Sequence, residues 1–208
     1  IADGDATTTT AAELTTINGK TTEAVDASAI TALASDTIDN IKTLLTAGNN
    51  TDQFTEDSFG LLTEVTVSDG TLDGSKLAAA IDEANTATDD TSVVFDISAA
   101  NTIEGSEANF TALLTDDGNE QIDITNQAIT VTGGISVDNA NLLDAATEGT
   151  ITADIDTTED VDELKTLTGT HAYTIVIADG DATTTTAAEL TTINGKTTEA
   201  VDASAITA

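Results

Sequence analysis

Along this chain, short runs in which apolar and polar residues alternate are separated by stretches with apolar residues three and four apart. The alternating runs are "AVDASAI" near Val25, "TEVTVSD" near Val65, "SVVFDIS" near Val93, "AITVTGG" near Ile129, "TITADID" near Ile151 and "YTIVIAD" near Tyr173. Val201 repeats the first of them, and "QIDIT" at Ile122 is a further candidate. Period-two alternation of β-branched residues predicts strands. The intervening stretches predict one-sided helices. They carry Ile38, Ile41, Leu44 and Leu45; Leu77, Ile81 and Ala84; Phe110, Leu113 and Leu114; Leu142, Leu143 and Ala146; Val161, Leu164 and Leu167; Leu190 and Ile193. Ser, Thr or Asp precedes most of these stretches and acids crowd their first turns, which is N-cap chemistry in a favourable dipole field. Gly118, Gly169 and the Asn18-Gly19 pair supply stop signals.

Taking Val25, Val65, Val93, Ile129, Ile151, Tyr173 and Val201 as marks, the steps are 40, 28, 36, 22, 22 and 28 residues. The shortest step reads as the basic strand–turn–helix coil, and the longer ones as that coil with insertions such as the 47–60 stretch. A coil this short cannot bury its own apolar face, whereas stacked neighbours can. The expected fold is therefore α/β: a solenoid-like stack of short strand–helix coils with a parallel sheet on one side. A right-handed β-helix is the main alternative. A doubly wound domain needs βαβ units of about 30 residues or more, and stacked immunoglobulin-like domains would lack the helical spacing.

Residues 1–32 and 177–208 are identical, letter for letter. The offset of 176 residues predicts a tandem array in which 1–176 is one full period and 177–208 begins the next. With no initiator Met and a start inside the pattern, the chain is expected to be a stretch of something longer. The second copy should stack on the helix and strand from Ile151, and the first on the segment C-terminal to it.

Charge narrows the partners. There are 38 acidic residues against 5 basic ones, a net charge of −33. That surface repels nucleic-acid phosphates and anionic membranes, so neither nucleic acid binding nor membrane insertion is expected, and no apolar run is long enough to span a bilayer. The chain has no Cys, Met, Trp or Pro, which excludes disulfides and thiolate metal sites. Low aromatic content and high charge favour disorder, but 39% of residues are apolar and regularly placed, so a folded chain is expected.

Candidate chemistry is sparse. His171, the one histidine, has no Cys partner and no "GxSxG" beside it, and reads as a solvated turn residue. Paired carboxylates are inevitable among so many acids and identify no glycosidase or protease pair. "VTGGIS" lacks the Lys and the spacing of a phosphate loop. Metal binding is the livelier question. "ADGDA" places Asp3 and Asp5, and again Asp179 and Asp181, around a Gly, and "DIDTTED" offers Asp154, Asp156, Glu159 and Asp160. "TDDGNE" adds Asp116, Asp117, Asn119 and Glu120. Calcium is the cation such oxygen-rich turns suit. Asp3, Asp5, Asp179, Asp181, Asp154 and Asp156 are the weak calcium candidates, although none fits an EF-hand loop or a calcium-binding nonapeptide. A Thr row for ice binding would have to recur on every coil, and "TVT" at 130–132 does not. The Asn-x-Thr sequons at Asn49 and Asn109 are within chance for a Thr-rich chain.

The wording from "ISVDNANLLDAATEGTITADIDTTEDVDELKTLTG" through "THAYTIVIADGDATTTTAAEL" resembles the acidic, Thr/Ala-rich tandem repeats of very large cell-surface proteins of cyanobacteria, including motile marine forms, and of other bacteria. The shared phrase is a strand followed by D-x-x-x-L-x-x-L. The resemblance implies an extracellular, non-enzymatic part of a giant surface protein, serving as a spacer, adhesin stalk or motility element. Its partners would be neighbouring repeats of the same polypeptide and other cell-surface components. A surface-layer or matrix component that assembles through calcium is the alternative.

Overall fold

A computed structural model describes residues 8–88, 93–177 and 185–206. It is a mixed α/β chain whose strands pair in parallel and alternate with helices. It divides into two compact units, Ile1–Asn101 with Ala112–Ile124, and Thr102–Thr111 with Thr125–Ala208.

The first unit contains α1 (Ala11–Asn18), β1 (Ala32–Asp36), α2 (Ile38–Gly48), β2 (Glu64–Val67), β3 (Thr71–Asp73), α3 (Gly74–Thr88) and β4 (Val94–Asp96). Strands β1, β2 and β4 form a parallel sheet in that order. Leu33 lies opposite Val65, and Val65 opposite Phe95. All three are buried, so one apolar row crosses the sheet. Helix α2 starts because the Thr37 side chain accepts the Asn40 amide. Its Ile38, Ile41, Leu44 and Leu45 are buried as the spacing predicts. It packs on both α1 and α3.

The second unit contains β5 (Thr102–Gly105), β6 (Ala128–Ile135), α5 (Val137–Ala146), β7 (Ile151–Ile155), α6 (Val161–Leu164), β8 (Ala172–Thr174) and α7 (Ala187–Asn194). Helix α4 (Glu107–Gly118) begins within it. Strands β5, β6, β7 and β8 are successive parallel neighbours. Ile103, Ile129 and Ile151 form one buried row, and Ala153 and Tyr173 pair on the same ladder. The register between β6 and β7 shifts between Thr130 and Gly134. Gly133 takes a φ of 85° there, which a side chain would resist. Beyond β8 the ladder continues as single parallel bridges, His171 to Thr197 and Val176 to Asp202.

Several expectations change. Val25 belongs to no strand and makes one parallel bridge to Phe54. The strand lies at 32–36 in "ALASD", whose alanines have little intrinsic strand preference; pairing with β2 overrides propensity. "QIDIT" is not a strand, although Ile122 and Ile124 are buried. The 36-residue step from Val93 to Ile129 hides β5, which resets the spacing to 26 residues between Ile103 and its partner Ile129. Helix α6 is a single turn. Elsewhere α-helices of 8 to 15 residues stand between strands, where a β-helix would place further strands.

Candidate functional site

The acids are used to join one strand–helix unit to the next. A helix begins with backbone N–H groups that lack partners inside it. Here carboxylates from the following segment supply them. Asp36, at the end of β1, accepts the Ala12 amide of α1 at 2.8 Å. Asp69 accepts the Ile38 amide of α2 at 2.7 Å. Glu159 accepts the Val137 amide of α5 at 3.2 Å. Glu107 of α4 reaches forward instead. It accepts the Ser136 amide at 2.9 Å, the Ser136 hydroxyl at 2.7 Å and the Asn139 side-chain amide at 2.7 Å. Those bonds, from Asn139 first and then Ser136, hold its carboxyl below the usual range. Each carboxylate also meets the positive end of the helix dipole.

The lysines that form ion pairs follow the same rule. Lys76 of α3 meets Asp39 of α2 at 2.7 Å. Lys165 lies 2.6 Å from Asp162 and 2.8 Å from Glu189 of α7. The Lys165 and Thr186 contacts hold Glu189 down to about 2. Threonine hydroxyls pin the corners. Thr147 donates to the Gln127 carbonyl at 2.7 Å and accepts the Gly149 amide. Thr197 donates to the Tyr173 carbonyl at 2.6 Å and accepts the Glu199 amide.

His171 is not a solvated turn residue. Its side chain is 11% exposed and its Nε2 lies 2.6 Å from Asp144 Oδ1. Its Nδ1 accepts the Ile151 amide at 3.3 Å, so in the neutral ring Nε2 carries the proton and donates to Asp144. Burial opposes ionisation of Asp144, but the bonds from His171 and Thr168 outweigh it and hold the carboxyl low. The imidazole stands edge-on to Tyr173, ring centres 5.5 Å apart. The Tyr173 hydroxyl is buried with no hydrogen-bond partner among the described residues, and burial raises its pKa. Among the described residues the His171 ring nitrogens bond only to the Ile151 amide and Asp144 and to no hydroxyl, so the pair ties α5 to the start of β8 without the nucleophile contact of a triad.

Of the calcium candidates, Asp3, Asp5, Asp179 and Asp181 lie outside the described residues. Asp154 is exposed on β7, opposite Gly134 and Thr174. Asp156 follows the strand, and its carboxylate occupies the space beside Gly134 where a Cβ would stand. Asp160 is the N-cap of α6 in a capping box with Glu163. Asp116 is pushed up to about 6 by burial and by Asp82. Among the described residues, no three His, Asp or Glu side chains gather as a metal ion would need.

One sequence signal was overlooked. D-x-S recurs at Asp26, Asp73, Asp90, Asp96 and Asp202, of which Asp90 lies outside the described residues. In the other four the carboxylate accepts the Ser amide two residues on, at 2.9–3.0 Å. These are Asx turns at the ends of strands or bridges. Among the described residues, an open groove of about 290 Å³ is lined by Leu190, Thr191, Asn194, Val201 and Ala203. Compared with known proteins, the chain matches no family model, no curated protein and no solved structure. What fold and site define is an α/β chain of parallel strand–helix units whose charged groups act between neighbouring units.

Proposed function

We propose that the chain is a structural repeat module of a giant extracellular cell-surface protein, a spacer, adhesin stalk or motility element without catalytic activity. Its coils stack as a solenoid whose partners are the neighbouring repeats. The observation that carries this reading is the use of Asp36, Asp69, Glu107 and Glu159 to cap helices of adjacent units. Acids committed to the backbone in this way hold one coil to the next. The identity of 1–32 and 177–208 supports a tandem array, and the resemblance to acidic surface repeats supports the location.

Small-angle scattering on chains of one, two and three periods tests it. A spacer lengthens by a constant increment per period and stays monomeric when calcium is added. Oligomers that form with calcium and dissolve with chelator would favour the calcium-assembled matrix reading instead. Antibodies against the chain should label intact cells of the source; labelling only after lysis would refute the surface location.

A further inference from the structure

The two identical segments are buried on different faces. In the first copy Ala11, Leu14, Val25, Ala27 and Ile30 are buried while Ile17 is 43% exposed. In the second copy the order is reversed. Ile193, the counterpart of Ile17, is fully buried. Ala187 is exposed, and Leu190, Val201, Ala203 and Ile206 are only half-buried. Identical sequence removes every local explanation, so the difference is the neighbour.

The first copy shows what covers the face that the second leaves open. Its Val25 amide donates to the Gln53 carbonyl at 2.9 Å, and its Val25 carbonyl accepts the Thr55 amide at 3.0 Å. Asn18 donates to the Gln53 side chain at 3.1 Å, and Asp36 caps Ala12. The second copy presents the same donors and acceptors. Among the described residues, the Val201 amide and carbonyl have no partner, and no carboxylate from a later segment reaches Ala188. The groove along Leu190, Val201 and Ala203 lies where α2, Phe54 and Ser58 cover the first copy.

We propose that this groove is the docking face for residues 33–58 of a further copy of this sequence joined in tandem. That segment would seat α2 against Leu190, pair its Phe54 with Val201, and place its Asp36 on the Ala188 amide. Each 32-residue copy would then be clasped on both faces at once, as the two copies here are clasped on one face each. The inference deepens the tandem-array reading and rests on it.

The chain has no Cys, so a single thiol reports coverage. The test compares the 208-residue chain with the same chain extended beyond Ala208 by a second copy of 33–208, each carrying V201C. Reaction with a thiol reagent should slow at least tenfold in the extended chain, towards the rate of V25C. An F54D change confined to the added copy should restore the fast rate. The proposal also requires I193C to react slowly and equally in both chains, since α7 stays seated. A V201C thiol equally reactive in the two chains, one already slow in the shorter chain, one still slow beside F54D, or an I193C thiol that speeds up on extension would each overturn it. Failure here leaves the scattering increment and the cell labelling to judge the surface-repeat reading separately.

Discussion

The identical helices α1 and α7 allow a measurement that few proteins permit: the same substitution in the same local sequence, with only the surroundings changed. Both helices read AAELTTIN and start with the same Thr/Glu capping box. Helix propensity and capping therefore cancel between them. Ile193 is fully buried and Ile17 is 43% exposed. Truncating a fully buried Ile to Ala costs about 2–5 kcal/mol, whereas a partly exposed site costs about 1 kcal/mol or less. I193A should therefore be the more damaging by at least about 1 kcal/mol on those scales. The order should invert at the other pair, L14A costing more than L190A, because Leu14 is fully buried and Leu190 half-buried. Urea unfolding followed by far-ultraviolet circular dichroism measures this. With a slope of about 1–3 kcal/mol/M, a difference of about 1 kcal/mol displaces the midpoint by about 0.3–1 M. If the units unfold separately, L14A should move one transition and I193A the other. I17A costing as much as I193A, or L190A as much as L14A, would refute the reasoning, because burial would not then distinguish the copies.

Other outcomes rest on single contacts. Y173F removes a buried hydroxyl that has no hydrogen-bond partner among the described residues, and should raise stability by about 1 kcal/mol and the melting midpoint by about 2–4 °C; a fall in the midpoint would refute the unpartnered placement. Asp116 has a folded-state pKa raised to about 6, so the folded chain holds that proton more tightly than the unfolded chain. The stability this gives is present below the ordinary Asp range and is lost as pH rises through about 6. D116N should thus stabilise the protein at pH 8 and have little effect at pH 3.5, read from melting curves across pH; equal effects at both would contradict it. G149A would push a Cβ into the Gln127 carbonyl and should cost about 1–3 kcal/mol, visible as a lower urea midpoint; an unchanged midpoint would mean the corner has room.

Much of the fold was legible wherever a strand was β-branched and its coil short. The runs at Ile129, Ile151 and Tyr173 became neighbouring parallel strands, and Ile38, Ile41, Leu44 and Leu45 became one buried helix face. Strands with weak local signals were missed. β1 has two alanines, a polar end and no β-branched residue, and β3 and β5 are three and four residues long. They are fixed by pairing, which a local pattern does not register. Leu142 fits the helical spacing yet is 55% exposed, because α5 turns Val137, Ala140 and Leu143 inward instead. The clamping acids were hidden for another reason. Asp36 and Ala12 are 24 residues apart, and Glu159 and Val137 are 22 apart, so each contact exists only once successive coils lie side by side. His171 looked solitary because its partner Asp144 is 27 residues away.

The parallel ladder of the second unit also bears on how such a chain would behave under tension. Ile129 pairs with Ile151, and Thr152 with Ala172, so successive rungs are 22 and 20 residues apart in sequence. In the described ladder β7 pairs with β6 on one side and β8 on the other. Pulled from one end, a rung would detach before the next one yields, and each release would free about 70 Å of slack at roughly 3.3–3.6 Å per residue. The threonine corners and carboxylate clamps would act as many small catches in series. They would spread a sudden tug over distance rather than resist it at one point, and each could close again once the pull stopped.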